Sequence, residues 1–149
     1  MYLIEEHIIT KQHSLFKECD RLCFASKNLY NFSLYKIQEY RELNNTFPSG
    51  YDLYHIVKSD DCFKSLPNDS AKQTVFQTVD MWKLFFKTLK SWKNNKANFT
   101  GCPNPPKYKH KTSGRNVLTI PIRNCRLKNN KILFNKHIKL ELNTKVDNL

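Results

Sequence analysis

Residues 71–94, AKQTVFQTVDMWKLFFKTLKSWKN, decide how this chain is read. Val75, Val79, Trp82, Phe86, Leu89 and Trp92 recur at steps of three and four, the period of one helix face. Neither Gly nor Pro interrupts them, so the spacing predicts a long helix from Ala71 to about Asn94. Its other face carries Lys83, Lys87, Lys90 and Lys93, with Lys96 just beyond. Ahead of it, Leu66, Pro67, Asn68, Asp69 and Ser70 form a turn. Asp69 or Ser70 offers an oxygen to cap the helix, and Asp69 also suits the positive end of its dipole.

Toward the N-terminus, Tyr51 to Phe63 reads as a shorter helix with Leu53, Ile56 and Val57 on its apolar side. Asn44, Asn45, Pro48 and Gly50 break it from another long helix, Lys11 to Leu43. There Leu15, Cys19, Leu22, Leu29, Phe32 and Ile37 keep helical spacing behind Thr10 as the cap. Met1 to Ile9 reads as a strand built from Tyr2, Leu3, Ile4, Ile8 and Ile9. Toward the C-terminus, Gly101, Pro103, Pro105 and Pro106 end the helical pattern, leaving an irregular basic segment from Asn94 to Gly114. The period then changes. Val117, Leu118 and Ile120 precede Pro121, Leu127 to Leu133 reads as a hairpin turned at Asn129-Asn130, and a last strand runs from Ile138 to Leu142. A lone N-terminal strand needs partners, which the C-terminal strands supply. The expected fold is α+β: a small β-barrel-like lobe formed by N- and C-terminal strands, with an inserted bundle of about three helices. Residues 1–10 and 112–149 make the β-lobe, 11–94 the helical insertion and 95–111 a basic connecting loop.

The charge is distributed unevenly. Residues 1–80 hold nine basic and eleven acidic side chains. From Met81 to Leu140 there are fifteen Lys and Arg and no Asp or Glu. A folded surface lacking internal counter-charge calls for an external polyanion, and nucleic acid is the commonest one. A surface serving only solubility intersperses both signs. No apolar run is long enough to span a bilayer, so no membrane partner is expected. The start, MYLIEEHIIT, places acids within its apolar run and lacks the features of a signal peptide, which makes the cytoplasm the default compartment.

Catalytic signals are weak. Two or three converging carboxylates with magnesium would suit nucleic-acid hydrolysis, yet Glu18, Asp20, Glu39 and Glu42 sit at solvent-type helix positions. Asp60 and Asp61 are neighbours that point about 100° apart on a helix. The five histidines are scattered and no phosphate-binding glycine loop exists. Cys19 and Cys23 stand four apart, but without a second pair at zinc spacing, so buried helix cysteines are favoured over a metal site. No catalytic residue, metal or cofactor is expected.

Recognition features are better developed. Pro105, Pro106, Lys107, Tyr108, Lys109, His110 and Lys111, followed by Arg115, interleave cations for phosphates with an aromatic face for a base or sugar. Gln73 and Gln77 carry amides able to read adenine edges, although by themselves they are read first as a plain solvated helix face. Trp82 and Trp92, at this spacing, are read as core rather than stacking platforms.

Taken in order, these pieces resemble the N-terminal half of the TnpB (OrfB) family, transposon-associated proteins related to type V CRISPR effectors. The residues that carry the resemblance are Leu29-Tyr30-Asn31-Phe32, Leu66-Pro67 and Ala71-Lys72-Gln73-Thr74-Val75, continued by Asp80, Trp82, Phe85 and Phe86. Pro105-Pro106-Lys107-Tyr108-Lys109 looks like the family's Pro-Arg-Phe-Lys segment. Asn116-Val117-Leu118-Thr119-Ile120-Pro121 looks like its Asn-Ser-Phe-Thr-Tyr-Pro strand. The resemblance implies a wedge lobe with a recognition insertion that binds a guide-like RNA and reads a motif flanking its DNA target. It places Gln73, Gln77, Asn116 and Thr119 near that motif, and Lys107, Tyr108 and Lys109 against RNA or the heteroduplex backbone. Lys83, Lys87, Lys90, Lys111 and Arg115 complete the expected nucleic-acid contacts. The family's RuvC-like nuclease half, with three carboxylates and a four-cysteine zinc ribbon, has no counterpart before Leu149. The expectation is therefore a non-catalytic, truncated binding portion, not an enzyme. One alternative is the binding subunit of a split nuclease, which implies a separate nuclease chain as partner. The other is a basic interaction protein that meets an acidic protein.

Overall fold

The computed structural model describes residues 4–136 and 138–145. Among these residues four α-helices precede three short strands: α1 (Phe16–Asn44), α2 (Gly50–Val57), α3 (Asp61–Lys64) and α4 (Asn68–Asn94), then β1 (Cys125–Lys128), β2 (Lys131–Phe134) and β3 (Glu141–Asn143). Two 3₁₀ turns, Lys96–Asn98 and Ile122–Asn124, lie between α4 and β1. The α+β class expected from the sequence is what forms.

Local chemistry explains where the boundaries differ. The first helix begins at Phe16 rather than after Thr10. The Thr10 carbonyl instead accepts from the His13 amide at 2.9 Å, and His13 Nδ1 accepts from the Leu15 amide at 3.1 Å, so a side-chain-assisted turn occupies that stretch. Asn45, at φ 53, closes α1 in the left-handed conformation that Asn tolerates. The expected helix over 51–63 is two. Ser49 and Asp52 form a reciprocal capping box at the start of α2, and Asp60 caps α3 through the Cys62 amide. Neither Asp69 nor Ser70 caps α4: the helix starts at Asn68 behind Pro67, Ser70 is buried in its first turn, and the Asp69 carboxylate is taken by Arg123 and Asn124.

The helices share one core. Leu22, Leu29 and Ile37 from α1 meet Leu53 and Val57 from α2, Phe63 from α3, and Ala71, Val75 and Val79 from α4. Ile138 and Leu140, from the segment before β3, enter the same cluster. Full burial of each such Leu, Ile or Val contributes about 1.5–3 kcal/mol. The burial pattern stops halfway along α4. Beyond Val79 its surface is half-buried or exposed, and Leu84 is 62 % exposed.

The sheet is antiparallel in the order β1-β2-β3, with Cys125 opposite Phe134 and Ile132 opposite Leu142. Asn129 and Asn130, at φ 50 and 56, form the tight turn expected there, because a hairpin twist of this hand needs two left-handed residues. Among the described residues the sheet is open and not a closed barrel. The expected N-terminal strand is absent over residues 4–9, and Met1 to Leu3 lie outside the described residues. Ile4 and Ile8 are 94 % and 80 % exposed, so their apolar pattern finds no face to cover. That segment is tethered by a side chain instead: Glu5 accepts from the Thr144 hydroxyl and the Lys145 amide. The last strand begins at Glu141 rather than Ile138, whose side chain is drawn into the helical core.

Candidate nucleic-acid interface

Asn116 is the pin on which the site is built. It is buried at the junction of α1 and α4, and its backbone amide donates to the Cys23 carbonyl at 3.1 Å. Its side-chain Nδ2 donates to Ser26 Oγ at 3.0 Å, Gln77 Oε1 at 3.0 Å and the Val117 carbonyl at 3.2 Å. Ser26 Oγ in turn donates to the Val117 carbonyl at 2.8 Å and lies 3.3 Å from Thr74 Oγ1. This network holds residues 116–119 against the helices, and no strand forms there. The expected strand there is replaced by side-chain anchoring.

The consequence is a groove of about 370 Å³ beside α4, lined by Gln73, Gln77, Met81 and Leu84 on one side and Val117 and Thr119 on the other. Three of the four residues expected to meet a target motif, Gln73, Gln77 and Thr119, therefore share one surface. Asn116 does not join them; its amide is committed to the protein and supports the groove from beneath. Because Gln77 Oε1 accepts from Asn116, the Gln77 Nε2 donors remain turned away from that contact. Phe76, Met81, Leu84 and Val117 supply an apolar floor that suits a flat heterocycle, a feature not singled out in the sequence.

Met81 and Leu84 also line a second hollow of about 340 Å³ with Pro103, Pro105, Pro106 and Lys107. The groove thus continues into the basic segment. Residues 107–115 lie as a strap across α1. The Asn31 side chain donates to the Lys109 carbonyl and accepts from the Lys109 amide, both at 2.9 Å, acting as a rung of ladder. Lys27 is 2 % exposed; its ammonium donates to the Lys111 carbonyl and lies 3.9 Å from the Phe24 ring centroid. Burial, with Arg115 nearby, lowers the Lys27 pKa. Tyr108 donates its hydroxyl to Gln38 Oε1 at 3.0 Å and keeps its ring half exposed. Lys109 holds its ammonium 5.1 Å from the Tyr30 ring. Lys107 and Lys111 are exposed.

Arg115 departs from expectation. Its guanidinium grips Asp20 at 2.7 and 2.9 Å, donates to the Thr112 and Gly114 carbonyls, and lies 4.9 Å from the Phe24 ring. Hydrogen bonds from Arg115 hold the Asp20 carboxyl below its ordinary range. Arg115 is a strap anchor, not a free phosphate ligand. Along α4, Lys87 and Lys90 are exposed, while Lys83 lies 3.6 Å from Asp80. Trp82 packs with Phe47, Phe85 and Phe86. Trp92 is half-buried under the Lys96 ammonium at 4.9 Å.

The anchors Ser26, Lys27, Asn31 and Gln38 were missed as participants, although Asn31 stood in the Leu-Tyr-Asn-Phe stretch. Their partners are distant in sequence, and only polar residues at otherwise helical positions hinted at them. Cys19 and Cys23 are half-buried, and desolvation raises both thiol pKa values. Among the described residues no group of three His, Cys, Asp or Glu side chains is placed to hold a metal ion. Among them, too, no helix is long and apolar enough to cross a membrane. Compared with protein families, with curated proteins and with solved structures, the chain matches none.

Proposed function

We propose that this chain is a non-catalytic nucleic-acid-binding module that holds RNA and DNA, in the manner expected of a TnpB-like N-terminal half. The observation that carries the reading is the groove: Gln73, Gln77 and Thr119 converge over an apolar floor that runs into the lysine-bearing strap. Lys107 lines the adjoining hollow, and Lys87, Lys90 and Lys111 are further exposed cations in the same segment, residues 81–140, which holds no acidic residue. Amides and hydroxyls read base edges while lysines neutralise phosphates, and the ring of Tyr108 offers a stacking face. Under this reading the open sheet is part of a barrel-like lobe, whose β1 and β3 edges, unpaired among the described residues, are available to further strands.

The test is binding of the purified chain to duplex DNA, to a structured RNA from its own locus and to an unrelated RNA across a salt series. On duplex DNA, log affinity is expected to fall with log salt at about −0.9 per phosphate neutralised. Replacing Lys87 and Lys90 by Gln is expected to lower that slope by about two units. Affinity indifferent to salt, or no binding to any of the three, refutes the proposal.

A further inference from the structure

Among the described residues Asp80 is the one charged side chain lining the groove, and it stands one helical turn beyond Gln77. Several of the chain's acids are held by cations with side chains at close range: Glu18 by Arg21, Asp20 by Arg115 and Asp69 by Arg123, at 2.6 to 2.8 Å. Among the described residues Asp80 pairs only with Lys83, at 3.6 Å, with the two side chains 69 % and 71 % exposed, a pairing that contributes little in water. A carboxylate on a face that meets phosphates repels them, so its effect on a ligand must lie in the groups it accepts from.

We propose that Asp80 and Gln77 together read the base edge that bears purine N7, and select bases with an amino group at purine C6 or pyrimidine C4, adenine and cytosine, over those with a keto oxygen there, guanine, thymine and uracil. The inference rests on the groove being a nucleic-acid site. Residues three apart on a helix have neighbouring side chains, about 5–6 Å between Cβ atoms. Gln77 Oε1 is taken by Asn116, so Gln77 presents its Nε2 donors. The Asp80 carboxylate presents acceptors. A donor beside an acceptor matches the N7 acceptor and N6 amino group of adenine, and the carboxylate alone matches the N4 amino group of cytosine. A keto oxygen set against Asp80 places lone pairs against a carboxylate that has given up its water, with no hydrogen bond in return.

The experiment measures fluorescence anisotropy of labelled single-stranded oligodeoxyadenylate, oligodeoxycytidylate and oligodeoxythymidylate with the wild-type chain and with Asp80→Asn. Asp80 is exposed, so the substitution leaves the core untouched, and far-UV circular dichroism checks this. The wild type is expected to bind the thymidylate about tenfold more weakly than the other two. Asn at this position can donate to a keto oxygen, so in Asp80→Asn the thymidylate is expected to rise to within about twofold of the others. A wild-type chain without base preference overturns the inference. So does a variant that tightens on all three oligonucleotides by the same factor, since Asp80 then acts through charge alone. Either of those results leaves the groove as a nucleic-acid site, whereas no binding to any oligonucleotide removes the groove reading and this one together.

Discussion

Replacing Asn116 by Ala tests whether the groove is held by the network beneath it. The change removes a buried amide that serves Ser26, Gln77 and the Val117 carbonyl at 3.0 to 3.2 Å. Two N–H protons serve these three acceptors, so the loss corresponds to two full hydrogen bonds at about 1 kcal/mol net each. The Val117 carbonyl keeps its bond from Ser26, and the half-buried Gln77 recovers water, so no fully orphaned group adds to the cost. The expected destabilisation is therefore about 2 kcal/mol. For a chain of this size that lowers Tm by roughly 4–8 °C. Urea denaturation followed by circular dichroism, on Asn116→Ala, Gln77→Ala and the double variant, measures the total and the coupling. Contact between the two side chains predicts a coupling energy of about 0.5–1.5 kcal/mol. A loss below about 0.5 kcal/mol for Asn116→Ala, or strict additivity with Gln77→Ala, refutes the reasoning.

Asn31→Ala deletes both contacts to the Lys109 backbone, so the strap is expected to become a preferred tryptic site at Lys107 to Lys111 while α1 stays intact; unchanged digestion kinetics would contradict the anchoring role. Asn130→Gly relieves a left-handed non-glycine residue in the hairpin turn and is expected to stabilise the fold by up to about 1 kcal/mol, measured as a shift in the urea midpoint. Hydrogen bonds from Arg123 first, and from Asn124, depress the Asp69 carboxyl from 3.8 in the unfolded chain. Its contribution is thus present above that value and is lost as pH falls through the lower folded value. Thermal melts below about pH 4 are expected to lose less stability in Asp69→Asn than in the wild type, and parallel acid profiles would count against the pairing.

The helical part was largely legible. Val75, Val79 and Trp82, like Leu22, Leu29 and Ile37, carry a period that sequence alone displays, and the buried core uses those same residues apart from Trp82, which is half-buried. The tight turn at Asn129-Asn130 was legible for a similar reason, since few residues other than Asn accept its backbone angles. Met1 to Ile9 misled. A run rich in β-formers makes a strand only when a partner edge and a buried face receive it, and over residues 4–9 neither is present. Asp69 misled in the opposite way: a good capping side chain was captured by Arg123, 54 residues along the chain.

Gln73, Gln77 and Thr119, grouped in the sequence reading, line one groove, whereas the packing contacts of Asn116 and Arg115 were not legible. Asn116 is committed to Ser26, 90 residues away, and Arg115 to Asp20, 95 residues away. Sequence by itself determined the helices and the acid-free basic segment, because periodicity is a local property and charge is a count that folding does not alter. Which polar side chains face solvent ready for a ligand, and which are consumed in holding the strap and the groove, was decided by tertiary structure alone. A hydrogen bond commits a donor to one acceptor, and the nearest acceptor is set by how α1, α4 and residues 107–119 pack.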